Sequence, residues 1–325
     1  MSVPLGITLG DVTGIGPEIT LKALRAVADE PGPDFLILGD AGWLERANRD
    51  VGLSWQPHAD GVEGRFLQAD PQPEPLPPNL SPGAPEAARA AVNWLQEAAQ
   101  RCLRGELSGM VTAPVSKAAI IQAGIPFVGQ TELLAQEAGD VDVGMMLLAP
   151  DERGRWLRVL LVTTHLPLRE VPAAITREKV LRACELAALA GRQLGLPQTR
   201  VGVAGLNPHA GESGALGDEE NKIIAPACAE ARARGWKVTG PVPADTLFHQ
   251  ALRGDFDVVV AMYHDQGLAP LKMIGFDRGI NWTVGLPFVR TSPDHGTAYD
   301  LAGLGQANPG SMIAALRLAI QLSGA

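Results

Sequence analysis

Residues 255–308 read DFDVVVAMYHDQGLAPLKMIGFDRGINWTVGLPFVRTSPDHGTAYDLAGLGQAN. The stretch opens on an unbroken apolar run, Val258-Val259-Val260-Ala261-Met262. Such a β-branched run without polar alternation predicts a strand buried on both faces, as in a parallel sheet. Directly behind it stand Tyr263, His264, Asp265, Gln266 and Gly267. Open α/β sheets bind ligands at the carboxyl ends of their strands, so this polar cluster is a candidate site. Lys272, Arg278, Asn281 and Arg290 follow in what reads as one loop-rich segment. These donors suit phosphate or carboxylate, because fixed N–H groups can replace the water around an anion. The stretch continues through His295-Gly296-Thr297-Ala298-Tyr299-Asp300 towards a last helical pattern.

Outward from this stretch, apolar runs alternate with helical periods. Strands are expected at 5–9, 34–38, 108–112, 156–162, 201–204 and 236–238, and helices at 43–48, 86–103, 177–194 and 218–234. The alternation predicts an α/β protein with a largely parallel sheet. Gly10-Asp11-Val12-Thr13-Gly14-Ile15-Gly16-Pro17-Glu18 reads as a tight strand-to-helix turn, with Pro17 in the first helical turn and Glu18 favourable to the dipole. It is not the G-x-G-x-x-G dinucleotide fingerprint, and the chain has no GK[ST] phosphate loop. Residues 70–85 are proline-rich and read as an extended surface loop.

Composition narrows the function. The chain has 325 residues, 46% of them hydrophobic, enough for a substantial core and two domains. Its net charge of −9 offers no basic face for nucleic acid, so an anionic substrate must be drawn by a local pocket. No apolar run is long enough to span a bilayer, and Met1-Ser2-Val3-Pro4 leads straight towards a strand, so neither a membrane span nor a secretory leader is expected. Cys102, Cys184 and Cys228 are odd in number, widely spaced and set in helical patterns. They read as buried thiols in a reducing cytoplasm.

Three of the six histidines, His165, His209 and His264, each follow an apolar strand within a few residues. Singly, each would read as a structural hydrogen-bonding residue. Together, at the carboxyl edge of one parallel sheet, they can converge. Three imidazoles and an open position suit a catalytic divalent ion, zinc-like by ligand softness. Asp245 and Asp265 are placed to orient a histidine or relay a proton. His58 lies in a polar loop and His249 on a helix, both read as solvated or structural.

The segments GDVTGIGPE, TAPVSK, VTTHLPL, GLNPHAGESG, GPVPADT, AMYHDQG and RGINWTVGLPFVRTSPDHGTAYDLAG occur in one order from Gly10 to Gly310. In this the chain resembles the 4-hydroxythreonine-4-phosphate dehydrogenases, enzymes of pyridoxal-phosphate biosynthesis. HGTAYDLAGLGQANPGS is also similar to the coenzyme loop of the isocitrate and isopropylmalate dehydrogenases, which share the fold. The resemblance implies two α/β/α domains with a cleft between them. On this chain they would be 1–128 with 296–325 on the coenzyme side, and 129–295 for metal, substrate and dimerisation. It implies His165, His209 and His264 as ligands of zinc, magnesium or cobalt. Thr131, Lys272, Asn281 and Arg290 match the family's substrate contacts. The family reads Gly-His-Thr-Glu, its His and Thr touching substrate, where this chain has Gly129-Gln130-Thr131-Glu132; the resemblance so implies Gln130 as a substrate contact, able to donate a hydrogen bond but not to carry a proton charge. His295, Gly296, Asp300 and Asn308 fall in the coenzyme match, with Asp300 suited to ribose hydroxyls; its plainer reading is a helix cap.

The implied activity is oxidation of 4-phosphooxy-L-threonine with NAD or NADP. A divalent ion would lower the pKa of the substrate hydroxyl, and the β-keto acid formed would decarboxylate to 3-amino-2-oxopropyl phosphate. The implied assembly is a homodimer whose metal site is shared between subunits. The competing readings are a paralogous dehydrogenase of another phosphorylated hydroxy acid and, from another class, a metal-dependent hydrolase or lyase. HGTAYDLAG argues against the second. A non-enzymatic phospho-ligand binder would have no use for the three histidines, and the phosphate acyltransferases that share the fold lack them.

Overall fold

The computed structural model describes residues 3–53, 58–59 and 65–324. The start of the chain at Met1 and Ser2, read above as leaderless, lies outside the described residues. Contacts divide the chain into two compact units, Met1–Asp142 with Leu286–Ala325, and Val143–Gly285.

The first unit begins β1 (Leu5–Thr8), α1 (Gly16–Val27), β2 (Phe35–Leu38), α2 (Ala41–Asp50), β3 (His58–Ala59) and β4 (Phe66–Ala69). Then come α3 (Pro85–Leu103), β5 (Gly109–Thr112), α4 (Lys117–Gln122) and α5 (Gln130–Glu137). All four residues of β1, β2 and β5 are buried, as their apolar runs demand. The Ala-rich face of α3 packs on β1 and β5 around fully buried Trp94, whose indole donates to Asp70 at 3.0 Å. Asp40 caps α2 by accepting from Trp43 N, and its other oxygen accepts from Leu76 N, which ties down the proline-rich loop. His58 belongs to the short β3 rather than to a loop.

The second unit runs β6 (Gly144–Pro150), β7 (Trp156–Leu161), α6 (Val171–Ala174), α7 (Arg177–Gln193), β8 (Arg200–Ala204), α8 (Ala225–Ala233), β9 (Lys237–Val242), α9 (Ala244–Arg253), β10 (Val258–Ala261), α10 (His264–Gly275) and β11 (Ile280–Val284). Its strand order is β11-β6-β7-β10-β8-β9. β7, β10, β8 and β9 are parallel, whereas β6 runs antiparallel to both β7 and β11. Helices α7, α9 and α10 pack on these strands. The chain then re-enters the first unit as β12 (Val289–Pro293) and α11 (Gly310–Ser323). There the order is β3-β4-β2-β1-β5-β12, all parallel.

Three features depart from the sequence reading. The segment holding Lys272, Asn281 and Arg290 is not a run of loop: Lys272 lies in α10, Asn281 in β11 and Arg290 in β12. Gly267, Pro270 and Gly275 gave it a loop-like composition, yet α10 forms across Pro270 by packing on β6, β7 and β10. The strand β6 was not anticipated. The seams of the units, read from motifs at 128/129 and 295/296, fall at 142/143 and 285/286. The cause is packing: α5 lies on α3, and β12 pairs with β5. Among the described residues no helix is long and apolar enough to cross a membrane. Cys102, Cys184 and Cys228 are buried and free, and burial pushes the Cys102 thiol up to about 12.

Candidate active site

In the second unit β7, β10 and β8 are neighbours in parallel register. Each is followed by a histidine at the same edge: His165 after β7, His264 after β10 and His209 after β8. The strand ends are stitched together. Thr163 Oγ1 donates to Met262 O at 2.7 Å, linking β7 to β10. Gln266 accepts from Met262 N and donates to Gly205 O, both at 2.7 Å, linking β10 to β8. These two residues lie within the quoted motifs, but which groups they join could not be read from them.

His165 and His264 meet, their ring centroids 5.4 Å apart. Asp265 Oδ1 lies 2.7 Å from His264 Nδ1. A carboxylate only accepts, so the ring nitrogen donates and the other nitrogen is left as a ligand atom. His209 stands on the same edge, exposed, with Glu212 Oε1 3.8 Å from its Nδ1. Its backbone opens a run of five residues in left-handed conformation, His209 to Ser213, of which only Gly211 is glycine. Left-handed backbone costs roughly 1–2 kcal/mol per non-glycine residue, so this turn must be held from outside. Asp245 is exposed in the first turn of α9, just after β9. Among the described residues of one chain, no three His, Cys, Asp or Glu are grouped closely enough to hold a metal ion. The donor chemistry nevertheless fits a divalent ion: two imidazoles meet at a tilt of 46°, and a carboxylate holds the ring of one of them.

Lys272 lies over the Phe276 ring at 5.8 Å. Asn281 Oδ1 is buried without a hydrogen-bond partner in the second unit, an acceptor with capacity for a ligand donor.

In the first unit Arg290 is 2% exposed. Its Nη2 donates to Thr112 Oγ1 at 2.7 Å and to Gln130 Oε1 at 3.0 Å. Burial pulls the guanidinium down to about 10, and Glu132 opposes the shift, so it remains a cation at neutral pH. Gln130 Nε2 donates to Ala113 O at 3.2 Å. Both ends of the Gln130 amide are therefore engaged within the unit, and its acceptor end holds Arg290. Thr131 is half-buried in the first turn of α5.

The coenzyme-like loop packs on the turn before α1. Ile15 N donates to Thr297 O at 2.9 Å, and a Cβ on Gly14 would stand 2.6 Å from that oxygen, so only glycine allows the approach. Buried Asp11 accepts from Thr13 N, Thr13 Oγ1 and, at 2.6 Å, Tyr299 Oη. Burial first, then Asp11, raises the Tyr299 phenol above its ordinary value. Beside them lies a cavity of about 170 Å³ lined by Thr13, Pro17, Trp43, Arg46, Tyr299 and Gly303, among others. Sequence reasoning missed Trp43, Arg46 and Tyr299, although Tyr299 adjoins Asp300. Of the residues it did select, His295 donates to Gly296 O, and His295, Gly296 and Asp300 are exposed. Asn308 Oδ1 accepts from Gly310 N at the start of α11.

An α/β chain with a parallel strand edge carrying histidines, and a loop–helix cavity in its other unit, has the fold of the isocitrate dehydrogenase class. The isocitrate dehydrogenase of Methylococcus capsulatus overlays it with a TM-score of 0.50, at 14% identity, over 99% of this chain and 88% of that one. More narrowly, the chain belongs to the PdxA family: residues 34–319 match the model described as pyridoxal phosphate biosynthetic protein PdxA. It is 44% identical to the 4-hydroxythreonine-4-phosphate dehydrogenase of Caulobacter vibrioides over 99% of this chain and 98% of that protein. The crystal structure of a 4-hydroxythreonine-4-phosphate dehydrogenase from Burkholderia phymatum is 40% identical and overlays with a TM-score of 0.83, covering 99% of each chain.

Proposed function

We propose that this chain is a cytoplasmic enzyme of pyridoxal 5'-phosphate biosynthesis that oxidises the C3 hydroxyl of 4-phosphooxy-L-threonine with NAD or NADP. The β-keto acid formed decarboxylates to 3-amino-2-oxopropyl phosphate. The observation that carries the reading is the pair of imidazoles, His165 and His264, at the parallel strand edge of a chain so similar to proteins bearing that name.

His165, His209 and His264 would hold one divalent ion, zinc, magnesium or cobalt. When bound, it supplies Lewis acidity at the substrate hydroxyl. The chain's own residues do the rest. Asp265 keeps the His264 ring in one tautomer. Asp265 and Asp245 are the carboxylates available to take the hydroxyl proton, and NAD or NADP, when bound, would accept the hydride from the carbon that bears that hydroxyl. Lys272, Thr131 and Arg290 bind the anionic ends of the substrate, and Gln130 acts through Arg290. The partnerless oxygen of Asn281 suits the substrate amine. On the coenzyme side His295, Gly296, Asp300 and Asn308 belong to the loop that Tyr299 anchors to Asp11.

The working form is a homodimer that shares the metal site. Leu166, Leu168, Met273 and Phe276 are exposed apolar residues on the segments that carry His165 and His264, a surface suited to a second copy. The paralogue reading, oxidation of another phosphorylated hydroxy acid, is separated from this one by substrate assay. The test is NADH formation from 4-phosphooxy-L-threonine by the purified chain. Turnover supports the reading; oxidation of a different phosphorylated hydroxy acid alone would favour the paralogue.

A further inference from the structure

Glu220 is 2% exposed and lies in no motif that marked the site. Its Oε1 accepts from Leu206 N and Asn207 N, both at 2.7 Å, and its Oε2 accepts from Asn207 Nδ2 at 2.9 Å. Asn207 Nδ2 also donates to Glu219 Oε2 at 2.7 Å. A buried carboxylate is stable only when donors replace its water, and here all three come from the two residues just before Pro208-His209. The slot is cut to fit: a Cβ on Gly211 would stand 2.7 Å from Glu220 Oε2, and one on Gly205 3.2 Å from Oε1. Glu220 itself opens the widened π-helical turn Glu220–Ile224. Ahead of it the chain runs left-handed from His209 to Ser213 and is closed by Ala210 N to Asn207 O, Leu216 N to Gly211 O and Ala215 N to Glu212 O.

We propose that Glu220 is the positioning residue for His209. Its carboxylate clamps the amides of Leu206 and Asn207, fixes the entry to the left-handed turn and so sets where the His209 imidazole stands. The inference rests on the reading of His209 as a metal ligand. It explains why a backbone conformation unfavourable for His209, Ala210, Glu212 and Ser213 is adopted by an exposed segment. Left to itself, such a segment would relax to right-handed turns and carry the imidazole away from the strand edge.

Glu220→Gln is nearly isosteric, but it sets an amide N–H against either Asn207 Nδ2 or the two backbone N–H groups, donor facing donor. Zinc affinity of the full-length protein, measured by competition with a chromophoric chelator, is the direct readout. His209→Ala serves as the control for the ligand, and melting temperature as the control for the fold. Glu220→Gln should bind zinc roughly tenfold to a hundredfold more weakly while its Tm stays near that of the parent. Adding Ala210→Gly, which relieves the left-handed strain at φ 52°, should restore part of the lost affinity. Activity of Glu220→Gln should return at saturating metal with kcat close to the parent's. Unchanged zinc affinity in Glu220→Gln, beside a clear loss in His209→Ala, would overturn the inference and leave the ligand reading intact. Loss of affinity in step with loss of Tm, with no rescue by Ala210→Gly, would reduce Glu220 to a structural role. Unchanged affinity in His209→Ala would instead remove the ligand reading, and the inference with it.

Discussion

Gln130 Oε1 accepts from Arg290 Nη2 at 3.0 Å, across 160 positions of sequence. Gln130 therefore serves as an acceptor for a buried guanidinium. A histidine could match this only as a neutral ring, since a protonated imidazole has no acceptor.

Gln130→Ala removes a hydrogen bond to a charged group, commonly about 1.5–3 kcal/mol. The expected result is a fall in kcat/KM for the phosphorylated substrate of about tenfold to a hundredfold, seen mainly in KM. Coenzyme affinity should not change. Gln130→His should stay within about tenfold of the parent, or about 1.4 kcal/mol. Steady-state kinetics with each substrate varied in turn checks this, and an inert Gln130→Ala would show that Arg290 needs no such partner.

Tyr299 ties the loop after β12 to Asp11, and burial, then Asp11, raises its phenol above the ordinary value. A raised folded-state pKa gives stability that is present below the unfolded value and lost as pH rises through the folded one. Tyr299→Phe should thus be less stable than the parent at neutral pH, by about 1 kcal/mol for the lost hydrogen bond. That difference should shrink in alkaline solution. Denaturant unfolding at several pH values measures it. A gap that widened above pH 10 would contradict the assignment. The variant should also bind coenzyme more weakly, because the loop beside the cavity is untethered.

The meeting of His165 and His264 within one chain decides how subunits can complement each other. If both come from one subunit and His209 from its partner, His165→Ala refolded with His264→Ala recovers nothing. His209→Ala refolded with His264→Ala places both defects in one site of each mixed dimer. Half the dimers are then mixed, with one intact site of two, and roughly a quarter of parental activity returns. Recovery by the first pair, or by neither pair with mixed dimers verified by mass, would contradict this arrangement.

The sequence made the parallel strands legible because runs such as Val258–Met262 are buried on both faces and bounded by turn residues. It also marked His165, His209 and His264, since a strand end followed by a polar turn is a local pattern. β6 was harder: Gly144-Met145-Met146-Leu147-Leu148-Ala149-Pro150 has no alternation, and its antiparallel pairing with β7 and β11 is a tertiary fact. α10 was hidden by Gly267 and Pro270. The grip of Glu220 on Leu206 and Asn207 closes an irregular turn and that of Arg290 on Gln130 spans 160 positions, so periodicity carries no trace of either. The same holds for the cavity by Trp43 and Tyr299, whose walls come from both ends of the chain.

If the histidines at the strand edge hold a catalytic metal ion, removing that ion stops the oxidation. The protein is dialysed against EDTA, freed of chelator and assayed for NADH formation from 4-phosphooxy-L-threonine before and after addition of zinc, magnesium or cobalt. Turnover should be lost on dialysis and return with a divalent ion in the parent, but not in His264→Ala. Full turnover in rigorously metal-free protein would contradict it.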